Sequence, residues 1–234
     1  MRAIHEIAAD PVRVGLYISS TTLTLGAGRY KVVVCAGGGG AATAGFTTDT
    51  TDTEKTGIWG SATGGGGAGV SAEFVLESTS TATITVGDGG TGTQVSKVED
   101  STPASDLVAQ ASNGEKSEFT CGNVHINAQG GGGGYVKVTR TGSVDMVRGK
   151  GGMYDVSGCT NVAAVLGGDG EAESVYSIAK GTAQDRPGGF AGVRIGGINA
   201  RMGAGAVAHI SYIGSSYEVR GASALYGAVA LFRL

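Results

Sequence analysis

The sequence predicts an all-β fold: a glycine-rich, β-sandwich-like domain of short strands whose glycine runs pack as extended, polyglycine II-type segments. Three observations lead there. Apolar residues alternate with polar ones in many short runs, as at Val12, Val14, Leu16 and Ile18, which turns one side of an extended chain toward a core. No stretch keeps a 3.6-residue apolar period over three turns between helix caps. Lastly, 45 of the 234 residues are glycine. Each glycine in regular structure costs ~0.5–1 kcal/mol relative to alanine, so that many persist only where geometry demands them. The demand is positive φ in turns, close approach of backbones, or both.

Composition excludes several classes. Only 16% of residues are charged and 41% are hydrophobic, unlike a disordered chain. Three prolines and the lack of a Gly-X-Y period exclude collagen. A net charge of −3 without basic runs leaves no electrostatic footprint for nucleic acid. There is no long apolar run of the kind that spans a membrane, so neither nucleic acid binding nor membrane insertion is expected.

In chain order, residues 1–10 read as an N-terminal arm. Residues 12–18, Thr21–Leu25 and Tyr30–Cys35 read as a three-stranded meander that stops at Gly37, Gly38, Gly39 and Gly40. Residues 41–63 form a Thr-, Asp- and Ala-rich polar excursion holding Trp59, closed by Gly64, Gly65, Gly66 and Gly67. Strands Ser71–Leu76 and Thr81–Val86 follow, ended by the turn signal Asp88-Gly89. Residues 91–118 read as polar and irregular, and Phe119–Ala128 as extended. The run Gly130, Gly131, Gly132, Gly133 and Gly134 leads into the strand Tyr135–Thr139. Beyond it, short apolar strands are expected at Val144–Val147, Val162–Leu166, Val175–Ile178, Ala206–Ile213, Tyr217–Arg220 and Tyr226–Phe232. The organisation is thus an arm (1–10), a glycine-rich β domain (11–140) and a C-terminal β-rich region (141–234) compatible with continuation of the same domain. The thirteen glycines of the three runs are the structural positions, and the competing view makes them flexible loops.

Residues that carry chemistry are sparse. Of His5, His125 and His209, only His125 lies near a cysteine, Cys121. On one strand the two would point the same way, yet two ligands do not close a tetrahedral zinc site. Gly149-Lys150 is followed by Gly151, so there is no phosphate-binding loop. The carboxylate groups Asp49/Asp52/Glu54, Glu99-Asp100 and Glu171/Glu173 read as solvated surface. Cys35, Cys121 and Cys159 read as buried reduced thiols, with one bridge plus a free thiol as the alternative. Met1–Glu6 lacks the apolar core of a signal peptide. No catalytic residue, metal or cofactor is expected, and the protein reads as a non-enzyme. Trp59, Tyr212 and Tyr217 are the candidate partner- or receptor-binding residues, because exposed aromatic rings anchor interfaces; core or edge packing is the alternative.

The order of Tyr30–Cys35 and Gly37–Gly40, then Gly64–Gly69 and Ser71–Leu76, then Ala82-Thr83-Ile84-Thr85-Val86-Gly87-Asp88-Gly89-Gly90 resembles the glycine-rich domain of bacteriophage tail and fibre proteins. More distantly it resembles glycine-rich fibre-tip adhesins. The resemblance implies a virion structural protein of a phage or prophage, made in the host bacterial cytoplasm. It would serve in the tail fibre, tail tip or baseplate and contribute to host attachment. A capsid or neck decoration (head-fibre) protein and a direct receptor- or glycan-binding adhesin are the alternatives. The implied partners are other virion proteins, a homotrimer of this chain, and a host-surface receptor or glycan met by the excursions 41–63 and 91–118.

Overall fold

A computed structural model describes residues 12–51, 53–97, 103–190, 202–213 and 216–234; the expected arm at 1–10 lies outside them. The described residues form β1 (Val12–Tyr17), β2 (Thr21–Leu25), β3 (Gly28–Cys35), β4 (Ala42–Thr50), β5 (Glu54–Ala62), β6 (Gly69–Leu76), β7 (Ser80–Thr85), β8 (Thr93–Lys97), β9 (Leu107–Gln110), β10 (Ser117–Cys121), β11 (Val124–Ala128), β12 (Tyr135–Val138), β13 (Val144–Val147), β14 (Tyr154–Ser157), β15 (Thr160–Val165), β16 (Ala172–Ala179), β17 (Thr182–Arg186), β18 (Ala208–Ile213), β19 (Ser216–Gly221) and β20 (Ala228–Arg233). They contain no helix. The all-β expectation holds.

Between the strands run extended segments that belong to no sheet, and they organise everything else. We call them struts: I (36–41), II (63–68), III (87–92), IV (111–116), V (129–134), VI (148–153), VII (166–171), VIII (187–190), IX (202–206) and X (222–227). Strut I sets the rule. Its N–H groups at 36 and 39 donate to strut II, those at 37 and 40 to strut IV, and those at 38 and 41 to strut X. Its carbonyls at 37 and 40 accept from strut V, those at 38 and 41 from 90 and 93, and that at 39 from Ala206. A partner that recurs every third residue, with no bond inside the segment, is the signature of the three-fold polyproline II-type helix. Strut I therefore has six neighbours.

Strut II is also surrounded. It donates to struts V, VII and IX, and accepts from struts I, VI and VIII. The other eight struts close a ring around this pair, each bonded to the next from III through X and back to III. Strut direction alternates along the chain, as the bond registers show: 37 pairs with 115 and 40 with 112 (antiparallel), whereas 131 pairs with 37 and 134 with 40 (parallel).

Such packing works only without side chains. A Cβ on Gly39 would run into the Gly132 carbonyl, one on Gly65 into Lys150, and one on Gly131 into Gly65. Among described residues the positive-φ glycines are Gly28, Gly122, Gly142, Gly158, Gly181 and Gly203, so the runs at 37–40, 64–67 and 130–134 exist for close approach alone. They are packed, not loose.

Alternation of direction sends every second connection to the same end. At one end β1-β20-β3-β6-β15 and β14-β11-β10-β7-β2 form two five-stranded sheets. These face each other as a sandwich around Tyr30, Val32, Val70, Phe74, Ile84, Phe119 and Ile126, with the Tyr30 and Phe74 rings stacked at 5.5 Å. At the opposite end lie the remaining sheets, β16-β5-β4-β8, β13-β12-β9 and β17-β18-β19. Residues beyond 140 contribute to both ends, and β20 lies between β1 and β3.

Several local expectations are corrected. β1, β2 and β3 are not a meander: β1 pairs with β20, β2 with β7, and β3 with β6 and β20. Their common apolar alternation reflects a shared core, which two facing sheets supply as well as one. The excursion 41–63 is the β4/β5 hairpin, and 91–118 holds β8, parallel to β4, and β9. Residues 119–128 fold into the β10/β11 hairpin at Gly122, whose φ of 60° makes the turn. β14 and β17 were not expected, since YDVS and TAQDR carry little apolar alternation.

Gly65→Ala is expected to lower stability by ~1–3 kcal/mol or more, or to prevent folding, because the Lys150 backbone it would meet cannot yield as a side chain can. Gly26→Ala, which meets nothing within 4 Å, is expected to be neutral or slightly stabilising. Equal melting temperatures for the two variants would contradict the packed-strut account.

Candidate binding surface

The five excursions β4/β5, β8/β9, β12/β13, β16/β17 and β18/β19 project from the same end of the strut bundle. They stack in three layers with the sheet β16-β5-β4-β8 in the middle. One of its faces packs Ala42, Ala44 and Phe46 against Leu107, Ala109, Val136 and Val138. The other packs Trp59, Val175 and Ile178 against Ile210, Tyr212 and Val219. Backbone bonds join the tips of separate hairpins: Lys180 N donates to the Thr53 carbonyl at 2.7 Å and Gly181 N to the Tyr212 carbonyl at 2.6 Å. At the β4/β5 tip the Thr51 hydroxyl accepts from Glu54 N at 3.0 Å. The tips are one connected surface, presenting Thr48, Asp49, Thr51, Glu54 and Lys180 to solvent.

Trp59 is fully buried and Tyr212 is 5% exposed, so both rings hold the middle and outer layers together. The Tyr217 side chain lies outside the described residues. The burial of Trp59 had a signal: the indole occupies the space that Cβ atoms on Gly45 and Gly57 would fill, and Gly57 and Gly60 bracket it in sequence. All thirteen run glycines lie in struts I, II and V. Asp49 and Glu54 are exposed at the β4/β5 tip, whereas Asp52 and Glu99-Asp100 lie outside the described residues.

Cys121 and His125 do not share a face. The hairpin turn between them breaks the strand, so Cys121 points into the sandwich core and His125 pairs with Thr120 on the outside. His125 meets Glu118 at 2.6 Å, and Lys116 meets the same carboxylate at 2.9 Å. Lys116 first and His125 second hold the Glu118 carboxyl below its usual range. No group of three potential metal ligands occurs among the described residues. All three cysteines are free. Burial pushes the Cys35 thiol up to about 12; Cys159 is only half-buried.

Sequence reasoning missed one arrangement. Arg148, Glu171, Ala172, Glu173 and Arg186 line an open groove of about 320 Å³, where struts VI, VII and VIII meet the hairpin end. Glu173 pairs with Arg186, and Arg148 reaches Asp169 at 3.5 Å. The Asp169 carboxylate accepts from Gly151 N at 2.9 Å and pairs with Lys150 at 2.9 Å, tying strut VI to strut VII. The Gly151 amide first, then Lys150, holds the Asp169 carboxyl below its ordinary 3.8. Glu171 and Glu173 were legible as a pair; their arginine neighbours are distant in sequence and converge only through the ring of struts.

A strut-centred β protein with a sandwich at one end and a layered hairpin surface at the other is the class these observations define. The chain belongs to the glycine-rich domain family, whose family model matches residues 14–228. No curated protein matches it significantly.

A lowered folded-state pKa adds stability that is complete above the unfolded value and lost as pH falls through the folded one. Asp169→Asn is therefore expected to flatten the fall in melting temperature as pH drops from about 5 through and below the ordinary aspartate value of ~3.9. An unchanged pH profile would show that this tie between the struts adds nothing.

Proposed function

We propose that the protein is a virion component of a bacteriophage or prophage, placed in the tail fibre, tail tip or baseplate, and that its hairpin end contributes to attachment to the host. The observation that carries this reading is the segregation of the two ends. Five polar excursions leave one end of a frame locked by backbone bonds, while β1 and the C-terminal strand β20 lie side by side in the sandwich at the other. A rigid base that fixes several loops in one surface suits recognition, because little conformational freedom is lost on binding. The ordered glycine motifs, with their resemblance to tail and fibre proteins, favour the virion setting. The sandwich end is then the face that joins other virion proteins. A trimer of this chain is one way to cover its open strand edges.

Purified protein is expected to bind cells of at least one strain in a panel of bacteria. Exchanging residues 49–53 at the β4/β5 tip for a Gly-Ser turn is expected to reduce that binding at least tenfold. Thr83→Lys, on the outer face of the sandwich, is expected to leave it intact. Absence of binding across the panel, or equal loss in both variants, overturns the attachment reading.

A further inference from the structure

The groove at the junction of struts and hairpins is polar and unusually well fixed. Its side chains come from the first residue of strut VI (Arg148), the last of strut VII (Glu171) and the adjoining ends of β16 (Ala172, Glu173) and β17 (Arg186), which runs into strut VIII. Those struts are locked to strut II: Gly149 N donates to the Thr63 carbonyl at 2.9 Å, and Gly189 N to the Gly64 carbonyl at 2.8 Å. The fully buried Thr63 fastens the floor. Its hydroxyl accepts from Glu171 N at 2.7 Å and donates to the Pro187 carbonyl at 3.0 Å, the residue next to Arg186. The backbones that carry Arg148, Glu171 and Arg186 are therefore held on three sides of one cleft. Preorganised side chains on rigid backbone are what a binding site requires.

The charges decide what fits. Two guanidinium groups and two carboxylates line the cleft, so it exerts no net pull on a simple ion. Glu173 and Arg186 pair with each other, and an anion or cation would have to compete with that bond. Arg148 is half exposed and spans a long 3.5 Å to Asp169, which leaves it N–H donors to spare. Among the described residues the Glu171 carboxylate has no ion-pair partner, and its side chain is exposed to solvent. A cleft lined by both spare donors and a spare acceptor matches hydroxyl groups, each of which donates and accepts. Hydrogen bonds to charged partners are roughly twice as strong as neutral ones. The volume of about 320 Å³ lies at the lower end of ligand clefts, ~300–1,000 Å³, enough for one sugar ring with its substituents.

We propose that this groove is a subsite for a neutral saccharide unit, with Arg148 donating to one hydroxyl and Glu171 accepting from its neighbour. The inference rests on the attachment reading in placing a glycan ligand near the hairpin end, and it names the ligand class. No aromatic platform is needed for weak binding of a single unit. A repeating glycan met by several copies of the chain would multiply that weak affinity.

Glucose, galactose and mannose, with glucuronate as the charged comparison, would each be titrated into full-length ¹⁵N-labelled protein and followed by amide shifts. At least one neutral hexose is expected to shift the amides of Arg148, Glu171, Glu173 and Arg186 together. Glucuronate is expected to bind at least tenfold more weakly there. Arg148→Ala and Glu171→Gln are each expected to weaken the hexose at least tenfold with melting temperatures unchanged, and Arg148→Lys to recover part of the loss. The proposal is overturned if no hexose shifts these amides, if glucuronate binds as well, or if well-folded Arg148→Ala and Glu171→Gln proteins bind normally. Cell attachment lost through the 49–53 exchange but kept in the Arg148→Ala and Glu171→Gln proteins would sink the groove while leaving the attachment reading standing.

Discussion

Backbone-to-backbone contact without intervening side chains is the constraint on which this molecule depends. A chain with no Cβ can approach its neighbours until N–H and C=O groups bond across the gap, and a three-fold helix points those groups at every neighbour in turn. Struts I and II use all of their directions, so in the middle of the protein the usual apolar core is replaced by paired peptide groups. An N–H···O bond is worth only ~0.5–1.5 kcal/mol net, but a buried peptide group left unpaired costs more. The bundle therefore tolerates almost no substitution at its centre. The apolar cores are displaced to the two ends, where side chains have room.

Alternating direction then does the architectural work. Because the struts alternate in direction, the chain shuttles between the ends, and from strut I to strut VIII each described visit deposits one pair of strands. Neither end is a continuous stretch of sequence, yet both are single packed bodies. This explains how β14 joins the sheet that holds β2, and β15 the sheet that holds β1 and β3. It also explains how Arg148, Glu171 and Arg186 meet.

Much of the strut arrangement was written in the sequence in a form subtler than the long runs. Ring struts have one face turned to solvent, so a side chain is allowed at every third residue. Asp88-Gly-Gly-Thr91, Lys150-Gly-Gly-Met153, Leu166-Gly-Gly-Asp169 and Pro187-Gly-Gly-Phe190 all follow that pattern, with all eight named side chains exposed. The central pair reads Gly37–Gly40 and Gly64–Gly67 with no such interruption. Alternation over Tyr30–Cys35 and Ser71–Leu76 marked the sandwich strands. Which strands pair was not legible, because their partners are chosen by struts tens of residues away. β4 was hidden because Thr, Ala and Gly dominate a strand on which a Cβ at Gly45 would already meet Trp59 and Ile58, and β8 because TQVSK carries a single apolar residue. Trp59 was a candidate anchor because it is a lone tryptophan in a polar segment; the flanking Gly57 and Gly60 were the hint that a neighbouring layer encloses it.

The position of β20 has a consequence for how the chain is made. β20 leaves the ribosome some two hundred residues after β1 and β3, between which it is inserted, and strut X completes the ring only just before it. Until those residues emerge, one sheet is split and strut I lacks a bonding partner along one side. Folding of the nascent chain cannot proceed from its beginning outward, and the finished topology, dominated by contacts distant in sequence, belongs to the slow-folding kind. The unfinished chain exposes unpaired strand edges throughout synthesis, a period in which a holding chaperone has most to do.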